Sequence, residues 1–130
     1  MNKTKDYHAV SLSGGKDSTA MLLMMLEHGM PIDAVLYADT GMEFPEMYDH
    51  LSKVDSLLYR ERDIHITVLR HPQGFEHLMF DEPKTRASAL ERHKKLGVPP
   101  YGNGWPGIRV RWCTGQLKTH PSTKEVRRLK

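Results

Sequence analysis

The residues best able to do chemistry stand together in one short segment, Ser11-Leu12-Ser13-Gly14-Gly15-Lys16-Asp17-Ser18-Thr19. Adjacent glycines let a backbone approach an anion closely and leave amide N–H groups pointing at it. The hydroxyls of Ser11, Ser13, Ser18 and Thr19 add donors, and Lys16 adds a full positive charge. A helix starting just after the glycines brings its own partial positive charge to the same point. The chemistry these residues offer is phosphate or sulfate binding, with Lys16 placed to stabilise charge on a group in transfer. Asp17 is out of place beside an anion unless it caps the helix or holds a Mg²⁺ that accompanies the phosphates. The spacing is neither Gly-x-x-x-x-Gly-Lys-Ser/Thr nor Gly-x-Gly-x-x-Gly.

Other residues extend this set. Asp39, Thr40 and Gly41 follow an apolar run, and a carboxylate there can accept from a ribose hydroxyl or an adenine amine, or cap the turn that follows. Arg109, Arg111 and Lys118 can clamp a sulfate or a 3′-phosphate, Arg being suited to bidentate contact. An exposed basic strand edge is the plainer reading of those three. Cys113 is a candidate nucleophile beside Arg111, or a packed side chain beside Trp112. The histidines are scattered, without Cys/His zinc-site spacing.

These residues need elements to position them. Tyr7 to Leu12 reads as a short strand closed by Gly14-Gly15. Ser18 to His28 reads as a helix with almost no polar face, expected to be largely buried and stopped by Gly29 and Pro31. Ile32 to Ala38 is a second strand. Pro45 can open a second helix as its first residue, with Met47, Leu51, Val54, Leu57 and Leu58 at helical spacing as far as Arg62. Ile64 to Leu69 is a third strand, dominated by β-branched residues. His71 to Pro83 reads as loose structure, Thr85 to Leu96 as a helix ending at Gly97, and Val98 to Gly107 as a proline- and glycine-rich loop of functional length. Ile108 to Trp112 is expected to form a short fourth strand, and Ser122 with Glu125 a capping box opening a last helix.

Alternating strands and helices with short connections imply right-handed crossovers and a parallel sheet covered on both faces, a Rossmann-like three-layer α/β/α domain. Ligands in such sheets bind beyond the carboxyl ends of the strands. That rule puts Ser13 to Asp17, Asp39 to Glu43 and His71 to Gly74 along one rim.

Composition narrows the classes. The chain has 130 residues, 27% charged and 38% hydrophobic, which suits one soluble globular domain. No apolar run approaches the ~18 residues that span a membrane, so no membrane partner is expected. The polar start, Met1 to Tyr7, does not resemble a secretory signal. A single cysteine excludes an internal disulfide and fits a reducing cytoplasm. The net charge of +3 hides an asymmetry, with 12 Lys/Arg against 15 Asp/Glu up to Leu96 and 7 against 1 from Gly97 onward. A basic C-terminal segment points to a polyanionic partner, either a nucleotide's phosphates or a nucleic acid.

Ser13-Gly14-Gly15-Lys16-Asp17-Ser18 resembles the PP-loop of the N-type ATP pyrophosphatase superfamily. Asp39-Thr40-Gly41-Met42-Glu43-Phe44-Pro45-Glu46 resembles the Asp-Thr-Gly-x-x-Phe-Pro-Glu segment of sulfonucleotide reductases, the phosphoadenylyl-sulfate (PAPS) and adenylyl-sulfate reductase family. Arg111-Trp112-Cys113-Thr114-Gly115-Gln116-Leu117-Lys118, followed by Pro121, is similar to that family's Arg-Trp-Cys-x-x-x-Leu-Lys region. The resemblance implies an adenine nucleotide alpha hydrolase-like fold and PAPS or adenylyl sulfate as ligand. It also implies an oxidoreductase of sulfur metabolism that passes sulfite through a cysteine adduct to a thiol donor such as thioredoxin, and a homodimer. The attacking cysteine of those reductases lies in a Glu-Cys-Gly tail that these residues lack, so the chain would supply the nucleotide-binding half of that plan. Residues 1–130 are accordingly expected to form one PP-loop domain, shortened at its C-terminal end relative to the family. With one cysteine, no iron–sulfur cluster is expected, nor any tightly bound cofactor beyond Mg²⁺ arriving with ATP. Two other readings stay open. Related enzymes cleave Mg·ATP between the α- and β-phosphates to activate a substrate as its adenylate, including some that modify tRNA or DNA bases with sulfur. A non-catalytic module would keep the cradle alone.

Overall fold

The computed structural model describes residues 6–129, so the residues before Asp6, and Lys130 of the basic segment, lie outside it. Three strands, β1 (Ala9–Ser11), β2 (Ala34–Asp39) and β3 (Ile66–Arg70), form a parallel sheet in the order β1-β2-β3. Helix α1 (Lys16–Glu27) connects the first two strands and α2 (Pro45–Arg62) the next two. Consecutive right-handed crossovers stepping in one direction put both helices on the same face. There Val10, Leu12, Val35 and Tyr37 from the strand side meet Leu22 of α1 and Leu51, Val54 and Leu58 of α2 in one core.

The strand pleat turns Ala34, Leu36 and Ala38 of β2 to the opposite face. With its edges paired to β1 and β3, β2 leaves only that face for the C-terminal elements that approach it. These are a π-helical segment, Cys113–Thr119, and α5 (His120–Leu129), which continues it without a break. The result is the three-layer α/β/α arrangement. A second core joins Leu78 of α3 (Gly74–Phe80) to Trp112 and Leu117, with Phe75, Met79 and Cys113 packed against them. Helix α4 (Ala87–Leu96) follows α3 and ends at Gly97 with φ 64°. The loop from Val98 to Gly107 is fixed to the second core by the Trp112 indole, which donates to the Gly104 carbonyl at 3.0 Å. At Gly102 the backbone lies so close to α3 that a Cβ would sit 2.5 Å from the Met79 carbonyl oxygen.

Several expectations need correction. Helix α1 is not largely buried: Thr19 and Leu22 are its buried residues, while Met24 is 56% exposed. It covers β1, which among the described strands pairs with β2 alone, so only one side of the helix finds a partner. The stretch from His71 to Pro83 holds α3, stabilised by burying Leu78 rather than by local pattern. Ile108 to Trp112 is not a strand but a turn in which Gly107 and Val110 exchange backbone hydrogen bonds, leaving Ile108 88% exposed. Ser122 and Glu125 do not cap a helix, because the helix starts upstream at His120, and Glu125 instead binds Arg128 at 2.6 Å.

Leu58 is fully buried where α2 meets β2 and β3. Leu58→Ala is expected to cost about 2–5 kcal/mol, read as a lower urea midpoint at unchanged slope.

Candidate functional site

Leu12 stays in the sheet through its N–H, which donates to Leu36 at 2.8 Å, and the chain then turns sharply at Gly14 with φ +81°. The positive φ favours glycine at this position, and a Cβ there would have to displace the Met47 thioether of α2. The loop is tied internally. Ser18 Oγ donates to the Gly15 carbonyl at 3.1 Å and accepts from Ser13 N–H at 3.2 Å, while Ser13 Oγ lies 2.9 Å from Ser18 Oγ. With the Ser18 proton on Gly15, Ser13 is the donor between the two hydroxyls.

Helix α1 begins at Lys16, after a Gly15 in extended conformation that supplies no side-chain cap. The N–H groups of Lys16, Asp17 and Ser18 therefore have no intrahelical acceptor and stand at the positive end of the helix. Asp17 is a first-turn residue and not the cap. Lys16, Asp17 and Ser11 are exposed. Thr19 is buried, its hydroxyl 3.1 Å from His50 Nε2, so it joins α1 to α2. Gly14 and Lys16 line a groove of about 590 Å³ whose far wall is Phe44, Met47 and His50.

Beside the loop, the end of β2 is organised by Asp39. Its Oδ1 accepts from Gly41 N–H at 2.8 Å and Tyr48 Oη at 2.9 Å, and its Oδ2 accepts from Arg70 Nε at 2.8 Å. Burial pushes the carboxyl upward, but the Gly41, Tyr48 and Arg70 bonds outweigh it and hold Asp39 below the usual carboxylate range. Thr40 donates to Glu43 at 3.1 Å and accepts from Met42 N–H, completing a rigid turn around Gly41 at φ +77°. Tyr37 lies behind this turn, and its buried hydroxyl has no partner among the described residues. Burial, then the charges of Glu43 and Asp39, push that phenol well above its ordinary value.

The expected rim is present in part. Asp39 to Met42, with His71, Gln73 and Gly74, line one cavity of about 280 Å³, to which Phe75 and Leu117 also contribute. Leu12 pairs with Leu36 next to this turn, so Ser13 to Ser18 lies alongside. Arg109, Arg111 and Lys118 are exposed, and none of them lines the groove or the rim cavity. Cys113 is half-buried against the second core. The sequence reading missed Arg70 and Tyr48, which hold Asp39, and His50, which holds Thr19. Arg70 had one readable sign, an arginine at the carboxyl end of a strand whose neighbour ends in aspartate.

A glycine-turned loop between β1 and an uncapped helix, beside a braced Asp-Thr-Gly turn, is the layout of a phosphate-binding α/β site. Residues 7–130 match the family model described as the phosphoadenosine phosphosulfate reductase domain. The chain belongs to that family. It is thereby a member of the PP-loop, adenine nucleotide alpha hydrolase-like superfamily, a nucleotide-binding group. It is also similar to the "Uncharacterized 37.8 kDa protein in gpa 5'region" of Escherichia phage 186, with 26% identity over 137 residues. That match covers 89% of this chain and 40% of the phage protein, so the chain spans less than half the length of its relative. No helix among the described residues is long and apolar enough to cross a membrane.

Because Asp39 has its folded value below its unfolded 3.8, its contribution to stability is complete above that value and is lost as pH falls through the folded one. Asp39→Asn should lower stability near neutral pH and flatten its dependence below about pH 4. Urea unfolding across that range, compared with the parent chain, checks both.

Proposed function

We propose that the chain binds PAPS or adenylyl sulfate, with the nucleotide's phosphate and sulfate on Ser13 to Ser18, as the nucleotide-binding part of a sulfonucleotide reductase. The observation that carries this is the uncapped start of α1. Its free N–H groups, the exposed Lys16 and the glycine turn converge on a place where an oxyanion satisfies all three. Lys16 stabilises negative charge on the leaving phosphate. Asp39 acts through the turn: its oxygens already hold three donors, so it fixes Thr40 and Gly41 beside the nucleotide. The attacking cysteine and the thiol donor, of the thioredoxin kind, are supplied by another segment or chain. Cys113 serves the second core. Arg109, Arg111 and Lys118 contribute positive charge at the surface rather than a closed clamp.

One observation favours a second reading. Asp17 offers an exposed carboxylate in the first turn of α1 with no hydrogen-bond partner among the described residues. That suits a Mg²⁺ carried by ATP, since this ion is commonly held by one or two carboxylates together with phosphates. The described residues contain no cluster of three metal-ligating side chains, so such an ion would come with the nucleotide. In that reading the chain activates a substrate by adenylation.

Thermal unfolding with PAPS, adenylyl sulfate and Mg·ATP side by side separates the readings. A ligand at 100 times its dissociation constant adds about 2.7 kcal/mol. The sulfonucleotides should stabilise the chain more than Mg·ATP, and Lys16→Ala should remove most of the gain. A gain from Mg·ATP alone that disappears with Asp17→Asn supports adenylation, and no response to any of the three overturns both.

A further inference from the structure

The largest of the cavities described lies away from the loop. It has a volume of about 840 Å³, between α4, the end of α3 and the loop that follows Val98. Lys84, Arg86 and Arg92 line it, and no Asp or Glu does. None of the three has a carboxylate partner among the described residues, the nearby Glu82 being paired with His77.

Lys84 is half-buried and its Nζ donates to Asn103 Oδ1 at 2.5 Å. Asn103 is in turn fixed by its side-chain amide, which donates to the Leu78 carbonyl at 2.6 Å. The ammonium is thus held by a neutral amide and has no ion-pair partner within reach, Glu82 acting on it only at longer range. Arg86 and Arg92 extend from the start and the middle of α4.

Aromatic surface accompanies the charge. Phe80 and Tyr101, 60% and 54% exposed, also line the cavity. Val110 lies on its wall too, and that places the exposed Arg109 and Arg111 at its border. Cations for phosphates together with open ring faces for bases are the two components of single-strand recognition. A duplex keeps its bases stacked inside and cannot offer them to a concave site. Several cations spread from the cavity to its border suit a chain of phosphates better than one.

We propose that this cavity is a binding site for single-stranded nucleic acid, separate from the nucleotide loop. Phosphates lie against Lys84, Arg86 and Arg92, and bases stack on Phe80 and Tyr101.

The test is fluorescence anisotropy of labelled oligo(dT), about 15 nucleotides long to exceed one site, with the full chain. Arg86→Glu with Arg92→Glu should weaken binding at least ~10-fold and reduce the salt slope by roughly 1.4, since each neutralised phosphate of a single strand adds ~0.7 to that slope. A charge-matched control on α2, Lys53→Glu with Arg60→Glu, should change affinity far less. Phe80→Ala with Tyr101→Ala removes two stacked bases and should cost about 30-fold or more. Retained melting temperatures show that the variants fold. The proposal is overturned by any of three results: no binding of oligo(dT) to the parent chain, equal losses in the two charge variants, or displacement of oligo(dT) by an equal concentration of thymidine monophosphate.

Discussion

The Asp39 carboxylate, 4% exposed as a residue, takes hydrogen from three separate parts of the chain and so fixes the rim where the site is built. Tyr48 brings the first turns of α2, Arg70 brings the end of β3, and Gly41 brings the turn between β2 and α2. A buried carboxylate without donors would be costly. These bonds, two of them over distances of nine and 31 residues, therefore bind strand ends and helix into one unit. The loop joins the same unit at Gly14, whose left-handed turn packs against Met47 and Leu51 of α2.

The electrostatics divide into two regions. At the loop, backbone N–H groups that folding has already oriented bring partial positive charge, and the exposed Lys16 adds a full one. Such a cradle needs little rearrangement when an oxyanion arrives. Around the cavity beside α4 the charge comes from side chains that form no ion pairs among the described residues, and here aromatic rings stand beside it. The first region suits a compact phosphate or sulfate group. The second suits a polymer.

The sequence made much of this visible. The apolar runs of β1, β2 and β3, Pro45 at the first turn of α2 and Gly97 at the end of α4 all carry local signals, and the structure follows them. The glycine turn and the helix that opens after it were readable because their signals lie in consecutive residues. Helix α3 was not, since its seven residues gain stability from Leu78 meeting Trp112 and Leu117, contacts no local window contains. Ile108-Arg109-Val110-Arg111-Trp112 has the alternation of a half-buried strand, yet among the described residues no strand pairs with it and Trp112 alone of the five is buried. The Ser122–Glu125 spacing matches a cap, but helical structure already runs through from Cys113. Arg70 and Tyr48 act only through a carboxylate distant in sequence, so their roles became clear with the fold.

On the proposed function, the amides around Gly14 to Ser18 receive the nucleotide's oxyanion. Backbone amide NMR of isotope-labelled chain titrated with PAPS tests it directly. The largest shifts are expected at Gly14, Gly15, Lys16, Asp17 and Ser18, with smaller ones at Thr40 and Gly41. Saturating binding that leaves those loop amides unmoved, with shifts confined to α4 and the loop after Val98, would contradict it.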